Sequence, residues 1–218
     1  MNRPTRASGA APRPPLDLFD DAAPLPDGLV HQRDFLSVAD EAALVRDIAA
    51  LPFEAARYKD YTARRRVVSF GSRYDFGDNE LLDAPPLPAF LLPLRDRVAA
   101  WIDVAPGELA DALVAEYPPG TPLGWHRDVP DFERVVGVSL AGSCRMRFRP
   151  YPLRADRRDG VFALTLEPRS AYVLQREIRW KWQHAVAPTR ELRYSITLRT
   201  RSARGRAARA GRTSSAGR

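Results

Sequence analysis

The sequence brings an imidazole and a carboxylate together in the segment Gly124-Trp125-His126-Arg127-Asp128. On an extended strand, side chains two residues apart project from the same side, so His126 and Asp128 are predicted to point together. A third ligand must come from elsewhere, and His184 is the best candidate among the remaining histidines. Two histidines and one carboxylate cover one face of an octahedral metal and leave three positions open, which is typical of non-haem Fe(II) oxygenases. A hydrolytic zinc site could use the same three ligand types, and His-x-Asp alone occurs often by chance.

A second pattern of polar residues follows His184, at the C-terminal end of the candidate domain. Residues 193–200 alternate between an apolar face and a polar face. An exposed strand face would also explain this alternation. Arginine, however, binds carboxylates through a planar two-pronged fork, so two arginines on one face suit a dicarboxylate. At roughly 3.3 Å per residue they stand about 20 Å apart, so at least one side chain must reach inward. The polar face consists of Arg193, Ser195, Thr197 and Arg199, of which the two hydroxyls would supply further hydrogen bonds.

Taken in order, these motifs resemble those of the AlkB family of Fe(II)/2-oxoglutarate dioxygenases. The resemblance covers about residues 28–200 and includes Tyr117-Pro-Pro-Gly120. It implies a double-stranded β-helix that uses Fe(II), 2-oxoglutarate and O₂, with His126, Asp128 and His184 as metal ligands and catalytic residues. It also implies that Arg193 pairs with the distal carboxylate of 2-oxoglutarate, that Arg199 lies near its iron-chelating end, and that Tyr117 hydrogen-bonds to it.

The activity implied by the resemblance is oxidative demethylation of alkylated DNA or RNA bases, with nucleic acid as the partner. The chain departs from the family pattern at Ala115, where the bacterial archetype has an asparagine that contacts the co-substrate. Two alternatives stay open. One is the same oxygenase chemistry on a protein side chain or a small molecule. The other is a non-catalytic jelly roll that binds nucleic acid through a basic tail.

Arginines and aromatic residues interleave between residues 64 and 76, the segment that corresponds to the family's substrate-covering lid. Extruded bases are commonly gripped between aromatic rings, with cations on the phosphates. The alternative is an ordinary hairpin whose aromatic side chains pack in the core. Trp125 either lines the pocket or packs in the core, and Asp131 is the only acidic residue soon after Asp128 that could touch the base. The predicted substrate-binding residues are Arg66, Phe70, Tyr74, Phe76, Trp125 and Asp131.

Composition places these motifs in one folded domain of a 218-residue chain that is 44% hydrophobic. Residues 1–27 are rich in Pro, Ala, Arg and Asp, and residues 201–218 hold six arginines and no acid, so both ends are predicted to be disordered. The basic tail either attracts phosphates or is simply solvated. We expect no disulfide, no membrane span and no secretory signal, hence a cytoplasmic protein, and a monomer.

Hydrophobic patterning predicts a mainly β domain with flanking helices (α+β), that is, a jelly roll. A first strand is expected near residues 29–35. One helix is predicted after the N-cap Ser37, ending before Pro52, and a second over residues 88–102. Eight short strands are then predicted over 113–117, 123–128, 134–140, 144–149, 161–167, 171–175, 181–187 and 192–200.

Overall fold

The computed structural model describes residues 25–58, 61–153 and 160–208. Its helices are α1 (Val38–Ala49), α2 (Leu92–Trp101) and α3 (Arg176–Lys181). The strands are β1 (Leu29–Gln32), β2 (Glu54–Tyr58), β3 (Tyr61–Phe70), β4 (Ser72–Asp75), β5 (Glu80–Asp83), β6 (Asp111–Tyr117), β7 (Leu123–His126), β8 (Phe132–Ala141), β9 (Cys144–Pro150), β10 (Phe162–Leu166), β11 (Ala171–Leu174), β12 (Trp182–Val186) and β13 (Arg193–Arg201).

Two antiparallel sheets build the predicted jelly roll. The main sheet has seven strands in the order β1-β11-β8-β13-β6-β3-β2. The minor sheet has four, in the order β10-β9-β12-β7, and β4 and β5 form a separate hairpin. Each of the eight strands predicted after residue 112 has a counterpart in the structure, so the mainly β fold is confirmed.

Side-chain alternation gives the main sheet two chemically different faces. On one face, apolar residues from β6, β8, β11 and β13 pack against the helices, as Val114, Val138 and Ile196 do; each of these three has no exposed surface. The opposite face looks toward the minor sheet, and there β13 presents Arg193, Ser195, Thr197 and Arg199. Because β13 lies between β8 and β6, the polar face of this strand occupies the middle of the sheet.

The helices cover the apolar face of the main sheet. Helix α1 begins where predicted, because Ser37 accepts a hydrogen bond from the Asp40 backbone N–H and the Asp40 side chain accepts one from the Ser37 N–H. Its buried residues, Leu44 and Ile48, are four apart and therefore share one side of the helix. A short 3₁₀ turn over residues 89–91 leads into α2, so the second predicted helix is also found. No helix within the described ranges is long and apolar enough to cross a membrane.

The domain extends further toward the C-terminus than predicted. Strand β13 continues to Arg201, and residues 203–208 form a helical segment, so the prediction of disorder from residue 201 is wrong for residues 201–208. Ser202 anchors this segment, since its hydroxyl donates to the carbonyl of Pro130 and its N–H donates to the carbonyl of Asp131. Residues 1–24 and 209–218, for which disorder was also predicted, lie outside the described residues.

We expect the close contact between Gly137 and Tyr172 to be necessary for stability. The two residues are cross-strand partners on β8 and β11, and a Cβ on Gly137 would lie 2.2 Å from the Tyr172 ring. Gly137→Ala should therefore lower the free energy of unfolding by about 1–3 kcal/mol or more, as overpacked cores do. Urea denaturation measures this change. The control is Gly107→Ala, because a Cβ at that position meets nothing within 4 Å. Equal stabilities of the two variants would contradict the prediction.

Candidate active site

The three predicted metal ligands come together between two strands of the minor sheet. His126 ends β7, and its cross-strand partner on β12 is His184. Asp128 follows two residues later, so the two-residue spacing brings its carboxylate back to the side of the imidazoles. One ligand atom from each residue lies within 4.8 Å of the other two, and Nε2 of His184 is 3.7 Å from Oδ2 of Asp128. One metal ion can therefore contact all three.

The surroundings keep these groups in the protonation states that bind metal. Burial lowers the pKa of His126, and it lowers that of His184, with help from the neighbouring His126, to about 3. Burial alone would raise the pKa of Asp128, but the positive charges of His184, which is protonated at such low pH, and then of Arg179 outweigh it and lower the pKa to about 2. At neutral pH the site therefore offers two neutral imidazoles and one carboxylate.

Hydrogen bonds also orient the ligands. Nδ1 of His126 lies 2.8 Å from the Gly124 carbonyl, which only an N–H can satisfy, so Nε2 carries the free lone pair. Oδ2 of Asp128 is buried and has no hydrogen-bond partner among the described residues. A buried, unpaired carboxylate oxygen is costly unless a cation neutralises it. The donor set therefore fits a divalent metal such as Fe(II).

Arg179 holds the chain that follows Asp128, a role that sequence reasoning missed. Its guanidinium is buried and donates hydrogen bonds of 2.7 Å to the carbonyls of Val129 and Phe132. These bonds fix both ends of the turn that leads from the metal ligand into β8. The sequence signal was weak, because an arginine in a short segment with other charged residues looks like a surface residue.

The polar face of β13 lines a cavity of about 1680 Å³ that also contains the metal ligands. Arg193 is 2% exposed, its Nε donates to the Ser139 hydroxyl at 3.0 Å, and its guanidinium lies 5.1 Å from the Tyr117 ring centre. Ser195 and Thr197 line the same wall. The predicted co-substrate residues of β6 and β13 are therefore neighbours, and they face the predicted ligands.

Arg199 occupies the other end of this row of polar side chains. Its guanidinium lies 4.8 Å from the ring centre of Phe132, and its positive charge helps to lower the pKa of Asp128. Its Nε is buried and has no hydrogen-bond partner among the described residues. A buried guanidinium with an unused donor suits a bound carboxylate, so the arginines of β13 fit 2-oxoglutarate.

Three of the predicted substrate-binding residues border the cavity with aromatic rings. Tyr74 lies on the β4–β5 hairpin and Phe76 in its turn, and their ring centres are 5.0 Å apart. Trp125 comes from β7, at the side of the metal ligands. Aromatic residues from two separate elements thus line the cavity, as a site that accepts a planar ring requires.

The side chains of the other three predicted substrate residues have different surroundings. Arg66 points to the helix side of the main sheet, where it forms a 2.7 Å ion pair with Glu116. Phe70 shares that direction and, although it borders the cavity, is 7% exposed and belongs to the core beneath the helices. Asp131 is 3% exposed, faces Arg204 at 3.5 Å and does not line the cavity. Because of the alternation on β3 and the burial of the chain after Asp128, Arg66 and Asp131 do not line the cavity, contrary to expectation.

Arg65 takes the place that was predicted for Arg66. It lies one residue earlier on β3, so its side chain projects from the opposite face of the sheet and lines the cavity. It donates to the Tyr117 hydroxyl at 3.3 Å, and its guanidinium lies 5.8 Å from the ring centre of that tyrosine. Val67 and Ser69 share its face, but the three consecutive arginines at 64–66 obscure this alternation in the sequence.

This fold and site define a class of enzyme, and comparison with known proteins agrees. Residues 28–206 match the family model of the 2OG-Fe(II) oxygenase superfamily, and the chain belongs to that superfamily. It is an Fe(II)/2-oxoglutarate-dependent dioxygenase, an assignment that overturns the non-catalytic alternative. Enzymes of this family use Fe(II), 2-oxoglutarate and O₂.

Within the superfamily, the predicted resemblance to AlkB proteins is confirmed. The chain is 31% identical over 193 residues to the alkylated DNA repair protein ALKBH8 homolog of Arabidopsis thaliana. That match covers 79% of this chain but 54% of the relative, so the chain spans about half of the relative's length. The solved structure of OsALKBH1 superimposes with a TM-score of 0.64 at 17% identity, over 79% of this chain and 96% of that one.

Removing a ligand should abolish metal binding. We expect Asp128→Ala or His126→Ala to weaken binding of Fe(II) or Mn(II) by more than roughly 100-fold, because loss of an outer-shell partner alone costs about 10- to 100-fold. Calorimetry under anaerobic conditions measures the affinity. The control is Asp96→Ala, which removes a 54% exposed carboxylate that does not line the cavity. Wild-type metal affinity in the Asp128 variant would show that the ligand assignment is wrong.

Proposed function

We propose that this dioxygenase removes methyl groups oxidatively from alkylated nucleic-acid bases. The observation that carries the proposal is that the three metal ligands line the same cavity as Tyr74, Phe76 and Trp125, which we call the aromatic rim. A methylated base is a flat, polar ring that must be stacked and oriented to bring its methyl group to the metal. The similarity to an alkylated DNA repair protein homolog supports the same substrate class.

The size of the cavity supports a substrate larger than a free metabolite. Small-molecule sites usually enclose roughly 300–1000 Å³, whereas this cavity of about 1680 Å³ also extends from the metal ligands to the β4–β5 hairpin. Part of that space is needed for 2-oxoglutarate beside β13. The remainder lies between the metal ligands and the aromatic rim, where an extruded nucleotide would fit.

In this proposal, His126, Asp128 and His184 hold Fe(II), and the polar face of β13 binds 2-oxoglutarate. Arg193 receives the distal carboxylate, since its guanidinium is buried beside Tyr117 and the hydroxyls of Ser195 and Thr197 line the same wall. Arg199 lies toward the end of 2-oxoglutarate that binds the metal, which its effect on the pKa of Asp128 supports. Arg65 and Tyr117 complete the wall.

Fe(II) held by His126, Asp128 and His184 would supply the activation of O₂, which would oxidise 2-oxoglutarate to succinate and CO₂ and insert one oxygen atom into an N-methyl C–H bond. The resulting N-hydroxymethyl group would then break its C–N bond and depart as formaldehyde, and its hydroxyl proton would pass to the ring nitrogen or to water. The residues of this chain contribute by positioning the co-substrate and the base. The arginines neutralise the dicarboxylate, and the aromatic rim orients the base and limits the access of water.

Turnover with a defined substrate tests the proposal. Purified protein, Fe(II), ascorbate and 2-oxoglutarate are incubated with a single-stranded oligonucleotide that carries one methylated base, and with the same oligonucleotide unmethylated. We expect succinate and formaldehyde in equal amounts with the methylated strand, and neither above background with Asp128→Ala. Succinate that does not respond to the methylated strand would overturn the nucleic-acid substrate and favour a protein or small-molecule substrate.

The assignment of Arg193 predicts a specific kinetic defect. Arg193→Gln removes a charge-assisted hydrogen bond worth about 1.5–3 kcal/mol, so the KM for 2-oxoglutarate should rise by roughly 10- to 100-fold. Initial rates at varied 2-oxoglutarate concentration measure it. Arg66→Gln is the matched control, because Arg66 lies on the opposite face of the main sheet and pairs with Glu116. An unchanged KM in Arg193→Gln, or an equal rise in both variants, would contradict the assignment.

A further inference from the structure

The outer face of the minor sheet carries a group of arginines that the proposed chemistry does not use. On β9, Cys144, Met146 and Phe148 point into the core, and the residues between them point outward. Arg127, directly after β7, is exposed beside the same sheet. We name this surface the arginine face, and it consists of Arg127, Arg145, Arg147 and Arg149.

Aromatic rings contact three of these four arginines. The guanidinium groups of Arg147 and Arg149 lie 5.2 Å and 4.4 Å from the ring centre of Trp125. Arg127 lies 4.2 Å from the ring centre of Tyr151. Contacts of this kind stabilise a cation and restrict its side chain while leaving N–H donors free to bind an anion. The arginine face is therefore partly ordered before any partner arrives.

The arginine face lacks the counter-charges that many of the other arginines have. Arg33 pairs with Glu167, Arg97 with Asp40, and Arg201 with Asp111. Among the described residues, no carboxylate lies within 4.0 Å of any of the four arginines of the arginine face. Like charges at neighbouring positions of a sheet repel one another, so this arrangement favours an external anion.

We propose that the arginine face binds the phosphodiester backbone of the nucleic-acid strand whose base enters the active site. The inference rests on the proposed function and names a second contact surface for that substrate. Trp125 and Arg127 belong both to this surface and to the cavity lining, so the surface begins at the cavity mouth and continues outward along β9. A strand with one base in the cavity would thus have its flanking phosphates beside arginines, and these contacts carry no sequence information.

The partner is a polyanion rather than a single phosphate because the charges are spread along a strand. Arg145, Arg147 and Arg149 alternate on β9, which places the Cα atoms of successive arginines about 7 Å apart at roughly 3.3 Å per residue. Phosphates repeat along a flexible single strand at a comparable spacing, so several contacts can form at once. Each contact releases counterions, which makes the affinity depend on salt concentration.

The salt dependence of binding tests the proposal without requiring catalysis. Fluorescence anisotropy of an unmethylated single-stranded oligonucleotide is measured from low to high NaCl concentration for wild type and for the double variant Arg145→Gln/Arg147→Gln. The slope of log K against log[NaCl] is negative, and removing two phosphate contacts should reduce its magnitude by about 1.4. Binding should weaken on the order of 10- to 30-fold at 0.1 M salt. The matched control is Arg33→Gln/Arg46→Gln, which removes the same charge from side chains that are 71% and 74% exposed.

A smaller magnitude of this slope in the first variant but not in the control supports the proposal. Equal slopes in the two variants would overturn it, since the effect would then come from net charge alone, and so would a wild-type protein that binds no oligonucleotide. Thermal melting and Mn(II) affinity of each variant show that its fold and metal site are intact. The turnover experiment tests the proposed function independently. Demethylation together with unchanged salt slopes would overturn the role of the arginine face and leave the proposed function standing.

Discussion

Strict side-chain alternation across the main sheet is the constraint on which the site depends. Strand β13 lies between β8 and β6, and every second residue of it belongs to the apolar core under the helices. The intervening residues must then face the minor sheet, where Arg193 and Arg199 meet the cavity. A shift of one residue would exchange these sets and place arginines in the core. Burial of Tyr194, Ile196 and Leu198 therefore also fixes the direction of the arginines.

Charge balance around Asp128 is the second constraint on the site. The cavity gathers arginines around Asp128, and nearby charges hold that carboxylate ionised despite its burial. A divalent cation adds positive charge to this region, and a dicarboxylate compensates it. The positive charge of the metal and the negative charge of the co-substrate thus balance each other. This balance is consistent with a single cavity lined by the polar wall of β13 and the ligands of β7 and β12. Arg179 contributes as a positioning residue, through backbone carbonyls rather than through contact with the metal.

The elements that sequence reasoning found have short, regular patterns. The eight strands after residue 112 alternate clearly, and the Ser37 capping box marks the start of α1. The candidate ligands were predictable because the chain has few histidines and because spacing of two places His126 and Asp128 together. Strands β2 to β5 were missed, since arginines and acids on both faces obscure their period. For the same reason Arg66 was predicted instead of Arg65. Asp131 pairs with Arg204, a contact that composition does not reveal.

The segment after β13 fastens the loop that carries Asp128 to the sheet. Ser202 binds the carbonyls of Pro130 and Asp131, and a Cβ at Gly205 would lie 2.2 Å from the Asp131 carbonyl oxygen, so only glycine allows this approach. Together with Arg179 on the other side, this segment clamps the loop from two directions. In evolutionary terms, the buried Ser202 and Gly205 are constrained by packing, although the composition of their segment suggests a dispensable basic tail.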